Sequence, residues 1–166
     1  IITQSDEGMV IVDQHAAHER VVYERLMQNW HKGAFEVQNY LVPLTIELEE
    51  DQVEALMAEV CHIERLGLHI DQMGPTTIGV RAAPAILKEK SAQKAIQKLA
   101  KEMVDKGGSF AIEKNIGDII ATMACHSVIR AGQPLSHPEM VSLLVQMDDF
   151  PMSSFSPPRR PVSSAY

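Results

Sequence analysis

The period of the hydrophobic positions changes several times along the chain, and each change marks an element. Met9-Val10-Ile11-Val12 is a continuous, largely β-branched apolar run that stops at Asp13, which predicts a strand buried on both faces. Ile1–Thr3 ahead of it, with Ser5-Asp6-Glu7-Gly8 as the turn, predicts a hairpin. From His15 good helix formers run to Met27 or Trp30, with Val22 and Leu26 inward and Gly33 as the stop. Glu36 to Leu48 alternates from Leu44 onward and carries Pro43 near its start, which predicts an edge strand. Glu49 to Leu66 spaces Val53, Leu56, Met57, Val60 and Ile63 as one amphipathic helix closed by Gly67, with Cys61 expected in the core. Leu68-His69-Ile70 and Thr77–Arg81 flank Gly74-Pro75 as a second hairpin.

Ala85 to Lys90 is ambiguous, whereas Ser91 to Val104 sets Ala95, Ile96, Leu99 and Met103 on one side and lysines on the other. Lys106-Gly107-Gly108-Ser109 breaks that helix. Ile116 to Ala131 predicts another, with Ile116, Ile119, Ile120 and Met123 in one stripe and Gly132 at its end. Ser136-His137-Pro138-Glu139 has the form of a capping box ahead of a short helix ending near Asp148, and a proline-rich loop then leads into a last short strand. The elements predict an α/β (α+β) chain in which a central block is inserted between first and last segments that look incomplete alone. The boundaries expected are 1–36 and 114–166 for the outer subdomain and 37–113 for the insert. Both ends stop mid-element, as a segment of a larger protein would.

The chain has 166 residues, 45% hydrophobic and 22% charged, which is ordinary for a globular protein and excludes a disordered chain. No apolar run approaches the roughly 20 residues that span a bilayer, and the N-terminus lacks signal-peptide composition, so a cytoplasmic location is expected. Two cysteines, Cys61 and Cys125, make no disulfide framework. A formal charge of −7 argues against broad phosphate neutralisation by the surface, so DNA as a substrate would need help in delivery.

Chemistry concentrates where the first apolar run ends. Asp13, His15, His18 and Glu19 are a dense group of possible ligands, and a helix places His15 and Glu19 on one face. Cys125-His126 offers a thiol and an imidazole from another helix, and zinc accepts all these donors. The spacing is not that of a zinc metalloprotease helix, and there is no glycine-rich phosphate loop or nucleophile elbow. The same residues also fit a surface pair beside a helix cap, with Cys125 as a small buried hydrophobe.

Asp13-Gln14-His15-Ala16-x-x-Glu19-x-x-x-x-Glu24 resembles the signature of the C-terminal domain of the MutL family of DNA mismatch-repair proteins. Ala124-Cys125-His126-Ser127-x-Ile129-Arg130-Ala131-Gly132-Gln133 is similar to a second block of that family, and Gln38-x-x-Leu41-x-Pro43 looks like its sliding-clamp contact motif. The resemblance implies a dimerisation subdomain made from both chain ends, with an external regulatory subdomain inserted. It also implies a latent metal-dependent endonuclease in which Asp13, His15 and Glu19 are catalytic and bind zinc or manganese together with Cys125. Glu24 lies about 140° round the helix from Glu19 and is read either as structural or as a residue that supports the ligands from behind.

Implied partners are a second copy, the sliding clamp, DNA as substrate, and a mismatch-recognition protein acting through the full-length chain. ATP would enter only through an N-terminal domain that this chain lacks, and the setting implied is the bacterial nucleoid. One departure stands out. Where nuclease-competent members carry Cys-Pro-His-Gly-Arg-Pro, this chain reads Ser156-Pro157-Pro158-Arg159-Arg160-Pro161, so the ligand positions Ser156 and Pro158 have lost a thiolate and an imidazole. Nicking is therefore expected to be impaired, and the alternative is a dimerisation and clamp-binding scaffold without nuclease activity. Without the resemblance, Leu41 reads equally as an inward strand residue.

Overall fold

The computed structural model describes residues 1–5, 8–107, 112–127, 134–150, 155–156, 160–161 and 163–165. Its elements are β1 (Ile2–Ser5), β2 (Gly8–Val12), α1 (Gln14–Lys32), β3 (Val37–Glu47), α2 (Glu50–Ala58), α3 (Val60–Glu64), β4 (His69–Gly74), β5 (Thr77–Pro84), α4 (Glu89–Lys106), α5 (Ile116–Ser127) and α6 (His137–Asp148). Three short strands follow, β6 (Phe155–Ser156), β7 (Arg160–Pro161) and β8 (Ser163–Ala165). The fold is α+β. No helix among the described residues is long and apolar enough to cross a membrane.

Contacts divide the chain into two compact units, residues 1–25 with 128–166, and residues 26–127. In the first, β2 is the middle strand of an antiparallel sheet in the order β1-β2-β8, so the two ends of the chain share one sheet. Its core gathers Val12, Ala16, Ala17 and Val21 with Leu143, Met147 and Phe150. β2 is not buried on both faces as its composition predicts. Val12 is buried, but Met9 is 46% and Ile11 40% exposed, because one face of this small sheet is left uncovered among the described residues.

The second unit is a sheet in the order β3-β5-β4 with helices on it. β5 is central and buries Ile78 and Val80 completely, β3 is an edge as Pro43 predicts, and α4 packs against β3, α2 and α5. Gly67 ends the segment before β4 at φ +76°, where a Cβ would sit 2.9 Å from that of Phe35, so no other residue fits without displacement. The single helix expected over Glu49–Leu66 is two helices. Glu59 leaves helical geometry at φ −111°, ψ 18°, and the break lets Ile63 and Leu66 stay fully buried while Cys61 turns outward. Cys61 is thus a surface thiol and not the core residue expected. Packing draws this unit wider than the segment 37–113: α5 packs on α4, Trp30 carries the Arg65 guanidinium 4.7 Å from its ring centroid, and Phe35 abuts Gly67.

Candidate functional site

The end of β2 and the first turns of α1 carry the residues singled out for chemistry. A helix start leaves backbone N–H groups without partners, and an aspartate just ahead of it is a favoured acceptor. Asp13 fills that role: its Oδ1 accepts from the backbone N–H of His15 at 2.9 Å and of Ala16 at 3.2 Å. One helical turn later the Glu19 carboxylate, 7% exposed, lies with Oε1 3.0 Å from Nε2 of His15. The Nδ1 of His15 is buried and has no hydrogen-bond partner among the described residues. A polar atom left so is costly in a finished fold. Burial and the neighbouring His15 hold the His18 imidazole below its ordinary value of 6.5, with Glu139 pulling it the other way. Glu24 is paired with Arg20, whose guanidinium lies 6.0 Å from the Tyr23 ring centroid.

His15, Glu19 and the second oxygen of Asp13 are donors of the right chemistry for zinc or manganese. They do not amount to a complete site: among the described residues no group of three or more His, Cys, Asp or Glu side chains is arranged to hold a metal ion. Cys125 lies on α5, in the other compact unit, and is exposed, not a small buried hydrophobe. The Ile129–Gln133 part of the second motif and Pro158 fall outside the described residues, and of Ser156 only the backbone, in β6, is described.

Gln38, Leu41 and Pro43 lie on β3, and the pairing of this strand explains how they are presented. β3 is in register with β5 from Val37 to Asn39 and again from Leu44 to Glu47, with a shift between. Residues 40–43 therefore bulge from the ladder. Leu41 is 105% and Val42 75% exposed, which removes the reading of Leu41 as an inward strand residue. An edge strand with a proline has no neighbour to cover it, and the shift turns two apolar side chains to solvent.

Beneath the bulge a cavity of about 690 Å³ is lined by residues 38–45 with Glu89 and Gln93. The Tyr40 hydroxyl is buried there without a hydrogen-bond partner among the described residues, and burial, helped by Glu89, pushes the phenol above its ordinary 10.0. Val42, Tyr40, Glu89 and Gln93 were not singled out by the sequence. Only the long-range register exposes the first and gathers the rest. His62 and His69 are half-buried and His137 is exposed, and none joins either region.

Comparison with known proteins places these observations. A family model described as the MutL C terminal dimerisation domain matches residues 1–135. The DNA mismatch repair protein MutL of Afipia carboxidovorans is 39% identical over 153 residues, covering 92% of this chain and 25% of the relative. Those of Bradyrhizobium sp. strain BTAi1 and Paramagnetospirillum magneticum are each 40% identical over the same shares. The chain spans about a quarter of the length of these curated relatives.

Proposed function

The chain belongs to the MutL C-terminal dimerisation domain family, and on that premise we propose that it pairs two mismatch-repair chains and docks them on a replication sliding clamp. The clamp reading rests on one observation above all, the exposed Leu41 and Val42 on the β3 bulge. An extended segment with an aliphatic anchor, a nearby glutamine and a proline suits a hydrophobic groove on a partner, with little ordering to be done on binding. Removing Gln38 and Leu41 together (Gln38→Ala with Leu41→Ala) should weaken binding to the purified clamp about 10- to 100-fold, the value of one buried leucine side chain. Unchanged affinity would reduce the motif to a surface irregularity.

Pairing of two chains is supported by the uncovered face of the β1-β2 sheet. Ile2 stands directly opposite Ile11, and Met9 follows two residues along, with exposures of 71%, 40% and 46%. A two-fold interface needs a self-complementary patch, and an apolar sheet face supplies one. Ile11→Lys should convert dimer to monomer in light scattering. In this reading residues 37–113 act as the external regulatory subdomain.

A second reading retains nicking of DNA at the N-terminus of α1, favoured by the buried, unpartnered Nδ1 of His15 and the buried Glu19 carboxylate. What this chain itself supplies is orientation: Asp13 fixes the first turn, and Glu19 holds the His15 ring through Nε2. His15, Glu19 and the second oxygen of Asp13 do not by themselves complete a metal centre among the described residues. Nicking of supercoiled plasmid in manganese by the wild type, compared with Asp13→Asn, decides the matter. Equal background in both leaves the scaffold reading alone.

A further inference from the structure

The formal charge of −7 conceals a local reversal. The chain has eight lysines, and seven of them lie between Lys88 and Lys114. Helix α4 carries five lysines against three carboxylates. With 3.6 residues per turn, Lys90, Lys94, Lys98 and Lys101 fall within an arc of about 80°. Ala95, Ile96, Leu99 and Met103 occupy the opposite side and are buried, while the four lysines are exposed. Asp105 closes the row one turn further on.

Successive lysines in this row are about 5–6 Å apart along the axis, and the row is about 16 Å long. Like charges three and four residues apart repel and cost the helix some stability. Internal pairing offsets little of this. Lys98 stands 3.8 Å from Glu102 with half its side chain exposed, and Lys90, Lys94 and Lys101 make no ion pair among the described residues. The row is thus not explained by folding, and its geometry fits a regularly spaced polyanion.

We infer that the Lys90-Lys94-Lys98-Lys101 face of α4 is a binding surface for the phosphate backbone of double-stranded DNA, independent of sequence. A duplex presents one negative charge per roughly 1.7 Å of axis, so about nine phosphates lie within the length of the row. An anionic membrane is disfavoured, because a helix lying on lipid needs an apolar face to bury there. The apolar face of α4 is spent in the core, and the exposed large hydrophobic residues stand on other elements. The proposal does not depend on the clamp, dimer or metal readings, although Lys90 and Lys94 adjoin Glu89 and Gln93 beside the β3 bulge. It takes from them only the family's association with DNA repair.

The test uses the 166-residue protein and a fluorescently labelled, fully matched duplex in EDTA, without clamp, so neither nicking nor clamp docking contributes. Four phosphate contacts give a slope of about −3.6 in log affinity against log salt, a loss of about 150-fold between 50 and 200 mM salt. The K90Q/K94Q/K98Q/K101Q variant should bind at least tenfold more weakly at the lower salt with a nearly flat dependence. The corresponding four Lys→Arg changes should restore both. Unchanged circular dichroism and dimer mass in the Gln variant show that the fold and the pairing of chains survive, which separates this proposal from the previous one. Three results overturn it: a Gln variant with the wild-type slope, no duplex binding by the wild type at 50 mM salt, or phosphatidylserine vesicles bound more tightly than the duplex through the same lysines.

Discussion

The start of α1 and the bulge of β3 each carry a short motif, and the fold treats them in opposite ways. At α1 the polar side chains are drawn into the structure: Asp13 caps the helix, and Glu19 is buried against His15. At the bulge the apolar side chains are turned out, and Leu41 has no packing role among the described residues. A motif absorbed by the fold has a structural reason to exist whether or not it has a chemical one. A motif left in solvent gains nothing for the fold from burial. The clamp reading therefore stands on firmer structural ground than the nicking reading, although the α1 motif is longer.

The sharpest way to break this contrast is Leu41→Ala with Val42→Ala. Clamp affinity should fall about 10- to 100-fold while the free energy of unfolding moves by less than about 0.5 kcal/mol. A large loss of stability would mean that the bulge belongs to the core after all. Next in size is Asp13. Asp13→Ala should cost about 1 kcal/mol in denaturant unfolding, whereas Asp13→Asn, which still accepts the two N–H bonds, should cost only a few tenths. If Asn costs as much as Ala, the charge and not the cap is what the fold uses.

Glu19 probes the same question with the sign reversed. A buried carboxylate with one imidazole partner is poor value for stability, so Glu19→Met should be neutral or raise unfolding free energy by up to about 1 kcal/mol. A drop of that size instead would assign Glu19 to the fold. The smallest effect concerns Glu139, another carboxylate engaged at a helix start. The Ser136 hydroxyl donates to it at 2.6 Å and the Ser136 N–H at 2.8 Å, and these bonds hold its pKa below the ordinary 4.5. The sign follows from the depressed value: the cap's contribution is present above 4.5 and is lost as pH falls through the lowered value. An NMR titration should find Glu139 of Ser136→Ala moved back toward 4.5, and no movement would remove the capping assignment.

Local elements were largely legible. The hairpins, the stop at Gly33, the edge position of β3 and the capping box at Ser136 all follow from patterns a few residues long. The failures are those where a distant partner decides. Met9 and Ile11 are apolar but uncovered, because burial belongs to whatever packs on a sheet face. The break at Glu59 carries no glycine or proline to announce it. Of the candidate site, Asp13, His15 and Glu19 were visible as a group because helical spacing alone places His15 beside Glu19. That Glu19 is buried and that His15 Nδ1 lacks a partner among the described residues could not be read from spacing.

By itself the sequence determined most of the elements, the caps at Asp13 and Ser136, the family and the lysine face of α4, since these depend on residue type and spacing within about one helix or strand. Only the tertiary structure decided that the chain's two ends share a sheet, that residues 40–43 leave the β3-β5 ladder, and that the Glu19 carboxylate is buried. The physical reason is common to these cases. Exposure, register and the pairing of polar atoms depend on neighbours far away in the chain, and a short window of sequence does not contain them.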